Sequence, residues 1–169
     1  LGFSFAGQAQ LTSFGPLSVP LVSAGSVAEI VELLTYLPLI TTAINAQFRP
    51  NDQGLTVGLW GHTGDRALDC LAVTYTGLAL LRLLDMLVSD ALTVTLHLSW
   101  SAPVSLNKLA AEMVLAGRLF FDAPMSYLHV PVNALNEVCR FSDPLAYRLA
   151  VAELRRTLDE QSGATSFSK

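Results

Sequence analysis

The sequence predicts an α+β fold, with a mainly antiparallel sheet of about five strands and helices packed on one face of that sheet. The predicted strands alternate apolar and polar residues, which is typical of a sheet with one buried face. Helical segments separate paired strands instead of following every strand, so a doubly wound parallel sheet fits poorly. With 169 residues, of which 51% are hydrophobic, the chain is long enough for one compact domain.

The first predicted helix follows a stretch rich in Gly, Ser and Pro. That stretch, residues 1–25, favours short extended pieces and turns. Ser26 and Glu29 have the spacing of a capping box, in which each side chain accepts a hydrogen bond from the other residue's backbone amide. The helix is therefore predicted to begin at Val27. Pro38 lacks an amide hydrogen and is expected to end or kink it.

A hairpin and a long helix come next. Two alternating runs, residues 44–49 and 55–60, flank a turn and predict two antiparallel strands. Residues 61–64 break the pattern, and Asp65 is predicted to cap a helix over residues 66–88. This helix is apolar almost all round, so we expect it to be buried on more than one side.

The second half of the chain begins with the clearest strand pattern. Residues 92–100 alternate strictly between apolar and polar side chains. Ser105 is predicted to cap a short helix that ends near Leu115. After Gly117, a second hairpin is predicted, its strands being residues 118–122 and 125–130.

The last predicted helix begins at Pro144, with Asp143 as its N-cap, and runs to about Glu160. Residues 161–169 are mostly small and polar, which is typical of a linker or a frayed end. We therefore expect one domain over residues 1–160 and the stub of a linker over residues 161–169.

Charge and hydropathy exclude two classes of function. Only 14% of the residues are charged and the net charge is -4, whereas binding to a nucleic acid backbone needs clustered Lys and Arg. We therefore expect no DNA binding by this segment alone. The most apolar stretch, residues 71–88, contains Arg82 and Asp85, and no apolar run approaches the roughly 18–20 residues of a membrane span. No membrane partner is predicted.

The two cysteines, Cys70 and Cys139, lie far apart in the sequence and have no metal-ligand spacing. Neither a disulfide framework nor a zinc site is predicted. Because the cysteines form no disulfide framework, a reducing cytoplasm is the expected compartment. The opening segment has no basic region and no cleavage site, so it is not predicted to be a signal peptide. No cofactor is expected, because the motifs for nucleotides, calcium and zinc-protease chemistry are absent from the sequence.

A catalytic site finds little support in the sequence. There is no GxSxG motif, and neither cysteine has an evident base beside it. His62 and Asp65 have the spacing of a His–carboxylate pair, but a strand-to-helix connection with an Asp cap uses the same residues, and we favour the cap. The chain is therefore predicted not to be an enzyme. The alternative is a small hydrolase or isomerase that uses His62 or His97 as a base.

The polar face of the predicted sheet is the best candidate for function. It carries Thr, Trp, Tyr and His where a solvated face would carry Lys and Glu. A solvated face remains the simpler interpretation. A pocket or subunit interface is the other one, since aromatic rings supply contact area and Arg or His binds a carboxylate. The candidate ligand-binding residues are Arg49, Trp60, His97, Arg118 and Tyr127.

Three segments share their order and spacing with a known family. They are LGFSFAGQAQLTSFGPLSVPLVSAGSVAEIVELLTYLPLI, LTVTLHLSWSAP, and GRLFFDAPMSYLHVPVNALNEVCRFSDPLAYRLAVAELRRTL. The third segment is similar to the family's run of Phe, Pro and Leu positions followed by an Asp-Pro helix start. Together they resemble the N-terminal, arabinose-binding-like sensing domain of AraC/XylS-type bacterial transcription regulators, over about residues 1–160.

The resemblance implies a domain that binds a small organic effector and forms a homodimer. It also implies a C-terminal DNA-binding unit with two helix-turn-helix motifs, which this chain does not contain, so DNA would be bound only through that unit. We expect an effector with an apolar body and a carboxylate, held by Arg or His and walled by aromatic side chains. A ligand-free oligomerisation module is a further alternative.

Overall fold

The computed structural model describes residues 15–39, 41, 43–88 and 93–167, with only the backbone described for residues 162–167. The α+β class predicted from the sequence is confirmed. In chain order the elements are a 3₁₀ helix Gly15–Leu17, α1 Ser18–Ser23, α2 Val27–Glu32, a 3₁₀ helix Leu33–Leu39, β1 Ile44–Asn51, β2 Gly54–Gly61, α3 Arg66–Leu87, β3 Thr95–His97, α4 Lys108–Leu115, β4 Leu119–Phe120, β5 Tyr127–Pro131, α5 Val132–Leu135 and α6 Pro144–Phe167.

The five strands form one sheet in the order β1-β2-β5-β3-β4. All neighbouring strands are antiparallel except β3 and β4, which are parallel. The predicted first hairpin is confirmed as β1 and β2. The predicted second hairpin is wrong, because β4 lies at the sheet edge while β5 lies between β2 and β3. In this central position the helices cover Leu128 and Val130 of β5, which are fully buried. The hairpin prediction considered only the turn between the two strands, and not this burial.

The helices cover one face of the sheet, as predicted. The long helix α3 packs on β1, β2 and β3, and the 3₁₀ helix Leu33–Leu39 packs on β1. Helices α1 and α6 pack against each other beside this layer. The apolar side chains beneath the helices are buried. Those from the strands and their flanks are Ile44, Val57, Leu59, Val94, Leu96, Leu98, Leu119, Leu128 and Val130.

The observed strand is shorter than the alternating pattern that predicted it over residues 92–100. Strand β3 spans Thr95–His97, and residue 92 lies outside the described residues. Val94, Leu96 and Leu98 are nevertheless all buried. The alternation is therefore confirmed, although hydrogen-bonded pairing covers only its middle.

Helix α3 begins where the sequence predicts. The Asp65 side chain accepts hydrogen bonds from the amides of Ala67 and Leu68, at 2.9 and 3.3 Å, which confirms the cap. Burial on several sides is confirmed only for the second half of the helix. By length and hydropathy α3 could cross a membrane, but 50% of its most apolar stretch is buried inside the fold. Its packing on the sheet is that of a core helix.

Close packing of α3 on the sheet depends on a glycine. A Cβ atom at Gly77 would lie 2.6 Å from Cδ2 of Leu96 on β3. Since cores tolerate little extra volume, the glycine allows the helix to approach the strand closely.

The amino-terminal helices depart from the sequence prediction in two ways. Residues 15–23, expected as extended pieces and turns, form a 3₁₀ helix and α1. Pro20 fits in the first turn of α1, where an amide hydrogen is not needed; residues 1–14 lie outside the described residues. Pro38 lies inside the 3₁₀ helix Leu33–Leu39, which follows α2 directly.

The predicted capping box is half formed. The Ser26 hydroxyl accepts a hydrogen bond from the Glu29 amide at 3.4 Å. The Glu29 carboxylate accepts one from the Gly25 amide at 2.6 Å, not from Ser26. Ser26 also lies in a β-bridge with Val138. The hydrogen bonds of this bridge are made by the residues beside Ser26: the Val27 amide donates to the Glu137 carbonyl at 3.1 Å, and the Gly25 carbonyl accepts from the Cys139 amide at 3.0 Å.

The two carboxyl-terminal helices also differ from the prediction at one end each. Helix α4 is capped by Asn107, whose side chain accepts a hydrogen bond from the Ala110 amide at 2.7 Å, and not by Ser105. Helix α6 begins at Pro144 as predicted but continues to Phe167. Ion pairs one turn apart, from Arg156 to Glu153 and Glu160, stabilise it where the sequence predicted its end.

Candidate functional site

The sheet face opposite the helices carries most of the predicted polar residues. The strand register sorts the side chains of this surface into two rows, and we call both rows together the open face. One row contains Arg49, Thr56, His129 and Thr95; the other contains Gln47, Gly58, Tyr127, His97 and Phe120.

An aromatic stack lies in the second row. The His97 ring stacks on Tyr127, with ring centroids 4.4 Å apart and an interplanar angle of 9°. On its other side it stacks on Phe120, at 4.9 Å and 13°. Its Nε2 lies 3.0 Å from the Thr95 hydroxyl oxygen. Burial, and then the charge of nearby His129, lower the pKa of His97, so the ring is neutral near pH 7 and stacks as an uncharged aromatic.

The structure brings some of the predicted site residues together. His97 and Tyr127 are in direct stacking contact. Trp60 lies on the same face, where its ring approaches Gly58 of the second row, opposite Tyr127. Arg49 stands in the other row, on the edge strand β1. These four residues share the open face, as the alternation of the strands predicts.

Arg118 lies elsewhere. Its guanidinium bonds the carboxylate of Asp85 on α3 at 2.5 Å and donates from Nε to the Val94 carbonyl at 3.2 Å. The Arg118 side chain is only 12% exposed. The Arg118 guanidinium thus links the helix to the sheet. This contact joins distant segments, and no local sequence pattern predicts it.

A cleft of about 470 Å³ opens where the end of β2 meets the first turns of α3. We call it the Trp cleft, because both tryptophans of the chain line it. Its other walls include Arg66, Cys70 and Met125. Of these residues, sequence reasoning identified only Trp60. The available signal was that the chain has just two tryptophans, and that each ends a predicted strand, residues 55–60 and residues 92–100.

The rim of the Trp cleft is held by short-range hydrogen bonds. Asp69 accepts hydrogen bonds on Oδ1 from the Thr63 amide at 3.0 Å and from its hydroxyl at 2.6 Å, and these bonds lower the pKa of the Asp69 carboxyl. Gly61 is needed beside it, since a Cβ atom there would lie 2.5 Å from the same oxygen. On the opposite rim, the Ser99 amide donates to the Ser126 hydroxyl at 3.0 Å.

The geometry offers little to the hydrolase alternative. His97 contacts a hydroxyl, that of Thr95, but no described carboxylate hydrogen-bonds to its ring to orient it as a base. Asp65 caps α3, so it is not paired with His62. Burial raises the pKa of the Cys139 thiol to about 11, which keeps it protonated and unreactive. The described residues contain no cluster of three metal-ligating side chains.

The fold of the chain is similar to that of a known protein, although no similar sequence was found. No protein family and no curated protein matches the chain. Its fold is similar to the crystal structure of the transcriptional regulator CdpR from Pseudomonas aeruginosa, with a TM-score of 0.54 and 14% identity. The match covers 89% of this chain and 52% of that chain. The two proteins therefore share a fold over about half of the length of CdpR.

Proposed function

We propose that this chain is the effector-binding and dimerisation domain of an AraC-type transcription regulator, acting in the cytoplasm. It would sense a small organic molecule and control a DNA-binding domain that lies outside the chain. The observation that carries the proposal is the Trp cleft, an aromatic-lined opening of about 470 Å³ on a fold similar to half of a transcriptional regulator. Small-molecule sites have volumes of about 300–1,000 Å³.

The proposed ligand-binding surface joins the Trp cleft to the open face. Trp60 belongs to both, since it lines the cleft and lies beside Gly58. His97 and Tyr127 continue the aromatic surface, and Arg49 adds a cation at its edge. Arg118 would have to leave Asp85 to reach a ligand there, so the proposal rests on the other four predicted residues.

A thermal-shift screen of the purified chain tests this function. Small organic acids, sugars and amines are added singly, and a bound effector is expected to raise the melting temperature because it binds only the folded state. The same screen is repeated with Trp60→Phe, Arg49→Ala and His97→Ala. A response that these variants weaken supports ligand binding at this surface.

The screen has two contrary outcomes. A response that persists unchanged in all three variants would remove these residues from the site. The absence of any stabilising compound would favour the ligand-free oligomerisation module instead.

Helix α6 carries the proposed dimer contact. Leu145 and Leu149, one turn apart on one side of the helix, are 60% and 64% exposed, while Tyr147 and Leu154 on its other side are buried. An exposed apolar stripe of this kind is typical of a helix that packs against a partner. A second copy of the chain would cover it, and an effector could act by favouring one of two dimer geometries.

Sedimentation of the purified chain tests the dimer contact. The wild-type chain is expected to sediment as a dimer and Leu149→Glu as a monomer, because the carboxylate would be placed in an apolar interface. Val104→Glu, which changes a fully exposed loop residue, is the matched control and is expected to remain dimeric. A dimeric Leu149→Glu variant would place the interface elsewhere.

A further inference from the structure

We infer that the Trp cleft binds an aromatic monocarboxylate, whose ring contacts the indoles and whose carboxylate pairs with Arg66. The inference rests on the proposed sensing function and assigns its ligand class and its anchor. It leaves the proposed dimer contact unchanged. It assigns carboxylate binding to Arg66 in the first turn of α3, and not to an Arg or His residue on the sheet.

The walls of the cleft favour a flat apolar ligand. Trp60 and Met125 remain 42% and 40% exposed, although both are large apolar side chains that gain from burial. Trp100 forms another wall, and Leu59 and Val73 of the core close the inner end. Aromatic rings pack well on indole faces and on methionine sulfur. A ring bound here would cover apolar surface that the fold leaves in water.

Arg66 is the cation available to such a ligand. It lines the cleft, and within the described part of the chain it makes none of the ion pairs that hold Arg118 and Arg156. Guanidinium groups bind carboxylates through two parallel hydrogen bonds. The cleft therefore combines apolar walls with one cation, Arg66, that makes no ion pair among the described residues.

Asp69 limits the ligand to one negative charge. Its carboxylate lines the same cleft, and the Thr63 hydrogen bonds keep its pKa low, so it is ionised at neutral pH. A second carboxylate on the ligand would meet this charge at short range. We therefore expect a monocarboxylate to bind more tightly than a dicarboxylate of similar size.

Intrinsic fluorescence gives a direct test, because both tryptophans of the chain line the cleft. The probes are benzoate and phenylacetate, their amides benzamide and phenylacetamide, and the dicarboxylate terephthalate. We expect a saturable change in fluorescence with the two acids, and binding weaker by about 10- to 100-fold for the amides and for the acids with Arg66→Gln. Terephthalate should also bind more weakly than benzoate.

Two sets of variants assign the signal. Arg82→Gln changes an exposed arginine on the same helix that does not line the cleft, and should bind the acids as the wild type does. Trp60→Phe and Trp100→Phe should each keep part of the fluorescence change if both indoles contact the ring. Equal loss of binding in Arg66→Gln and Arg82→Gln would mean a nonspecific charge effect and would overturn the inference.

The remaining outcomes separate this inference from the proposed function. Equal affinity for acids and amides, or no saturable change with either acid, overturns the aromatic monocarboxylate. If the thermal-shift screen then finds a ligand of another class, the sensing function stands without it. If no compound of any class stabilises the chain, the sensing function itself fails.

Discussion

The two halves of α3 contain similar shares of hydrophobic residues but have different surroundings. Residues 66–76, the open half, bury only Val73, whereas residues 77–87, the packed half, bury eight of their residues. Leu71 in the open half is 67% exposed, while Leu81 in the packed half is fully buried. Seven of the 11 residues in the open half and eight of the 11 in the packed half are hydrophobic. Apolar composition alone therefore does not determine which part of a helix becomes core.

The surroundings explain the difference. The packed half approaches the sheet closely, with Gly77 against Leu96, and its Asp85 is tied to Arg118. The open half has a cleft on each side, the Trp cleft and a second one of about 300 Å³, and Trp100 and Cys70 line both. A helix anchored at one end can thus support a ligand site at its other end without loss of its own structure.

The largest contrast is expected from truncating one leucine in each half. Leu81→Ala should lower the free energy of unfolding by about 2–5 kcal/mol, because it leaves a cavity in the core. Leu71→Ala, the matched control, should change it by no more than about 0.5 kcal/mol. Urea denaturation followed by circular dichroism measures both. Equal losses would show that the two halves are packed alike, contrary to the structure.

The ion pair of the packed half should have the next largest effect. Asp85→Asn leaves the Arg118 guanidinium largely buried without its countercharge, and should lower the free energy of unfolding by about 1–3 kcal/mol. Asp159→Asn, an exposed aspartate on α6 that makes no ion pair among the described residues, is the control. A stability unchanged by Asp85→Asn would mean that Arg118 finds another partner.

The cap of the open half should have a smaller effect. Asp65→Ala removes the acceptor for the amides of Ala67 and Leu68, and should lower the free energy of unfolding by about 1 kcal/mol. Asp65→Asn keeps a capping oxygen and should change it much less. Because the same turn carries Arg66, Asp65→Ala should also weaken ligand binding in the Trp cleft, and Asp65→Asn should not.

Thiol labelling distinguishes the two ends of α3 without changing stability. Cys70 lines the clefts of the open half, whereas Cys139 is buried in a bridge with Val88 beyond the packed half. In the native chain, iodoacetamide should modify Cys70 first, as peptide mapping by mass spectrometry would show. Modification of Cys139 at the same rate would mean that the packed end opens as readily as the open one.

The stability of the chain at alkaline pH should also test the burial of the Cys139 thiol. Its pKa is about 11 in the folded chain, against an ordinary value of 9.0. Between these values the unfolded chain releases a proton that the folded chain keeps, so the free energy of unfolding falls as the pH rises from about 9 to about 11. Cys139→Ala removes this contribution, and the difference in slope between it and the wild type isolates the thiol from other groups.

Local patterns predicted those parts of the fold that neighbouring residues determine. The Asp65 cap, the hairpin of β1 and β2, and the start of α6 at Pro144 are confirmed. Each depends on contacts within a few residues. The capping box at Ser26 was only half right, because the Glu29 carboxylate accepts its hydrogen bond from the Gly25 amide and not from the Ser26 amide.

The candidate site was less predictable. Alternation along the strands correctly placed Arg49, Trp60, His97 and Tyr127 on one face, since side chains of period two share a face. It could not place Arg118, whose partner Asp85 lies 33 residues away. It also could not bring Trp100 and Arg66 to Trp60, because those three residues come from different elements that meet only when α3 docks on the sheet.

By itself, the sequence determined the fold class, most helix and strand positions, and the sheet face on which each strand residue lies. These follow from short-range backbone geometry and from the period of the apolar residues. Only the tertiary structure decided that β5 lies between β2 and β3, that one half of α3 is core, and that the two tryptophans share a cleft. Those features depend on contacts between distant segments, and many arrangements of the same elements would satisfy the local patterns equally well.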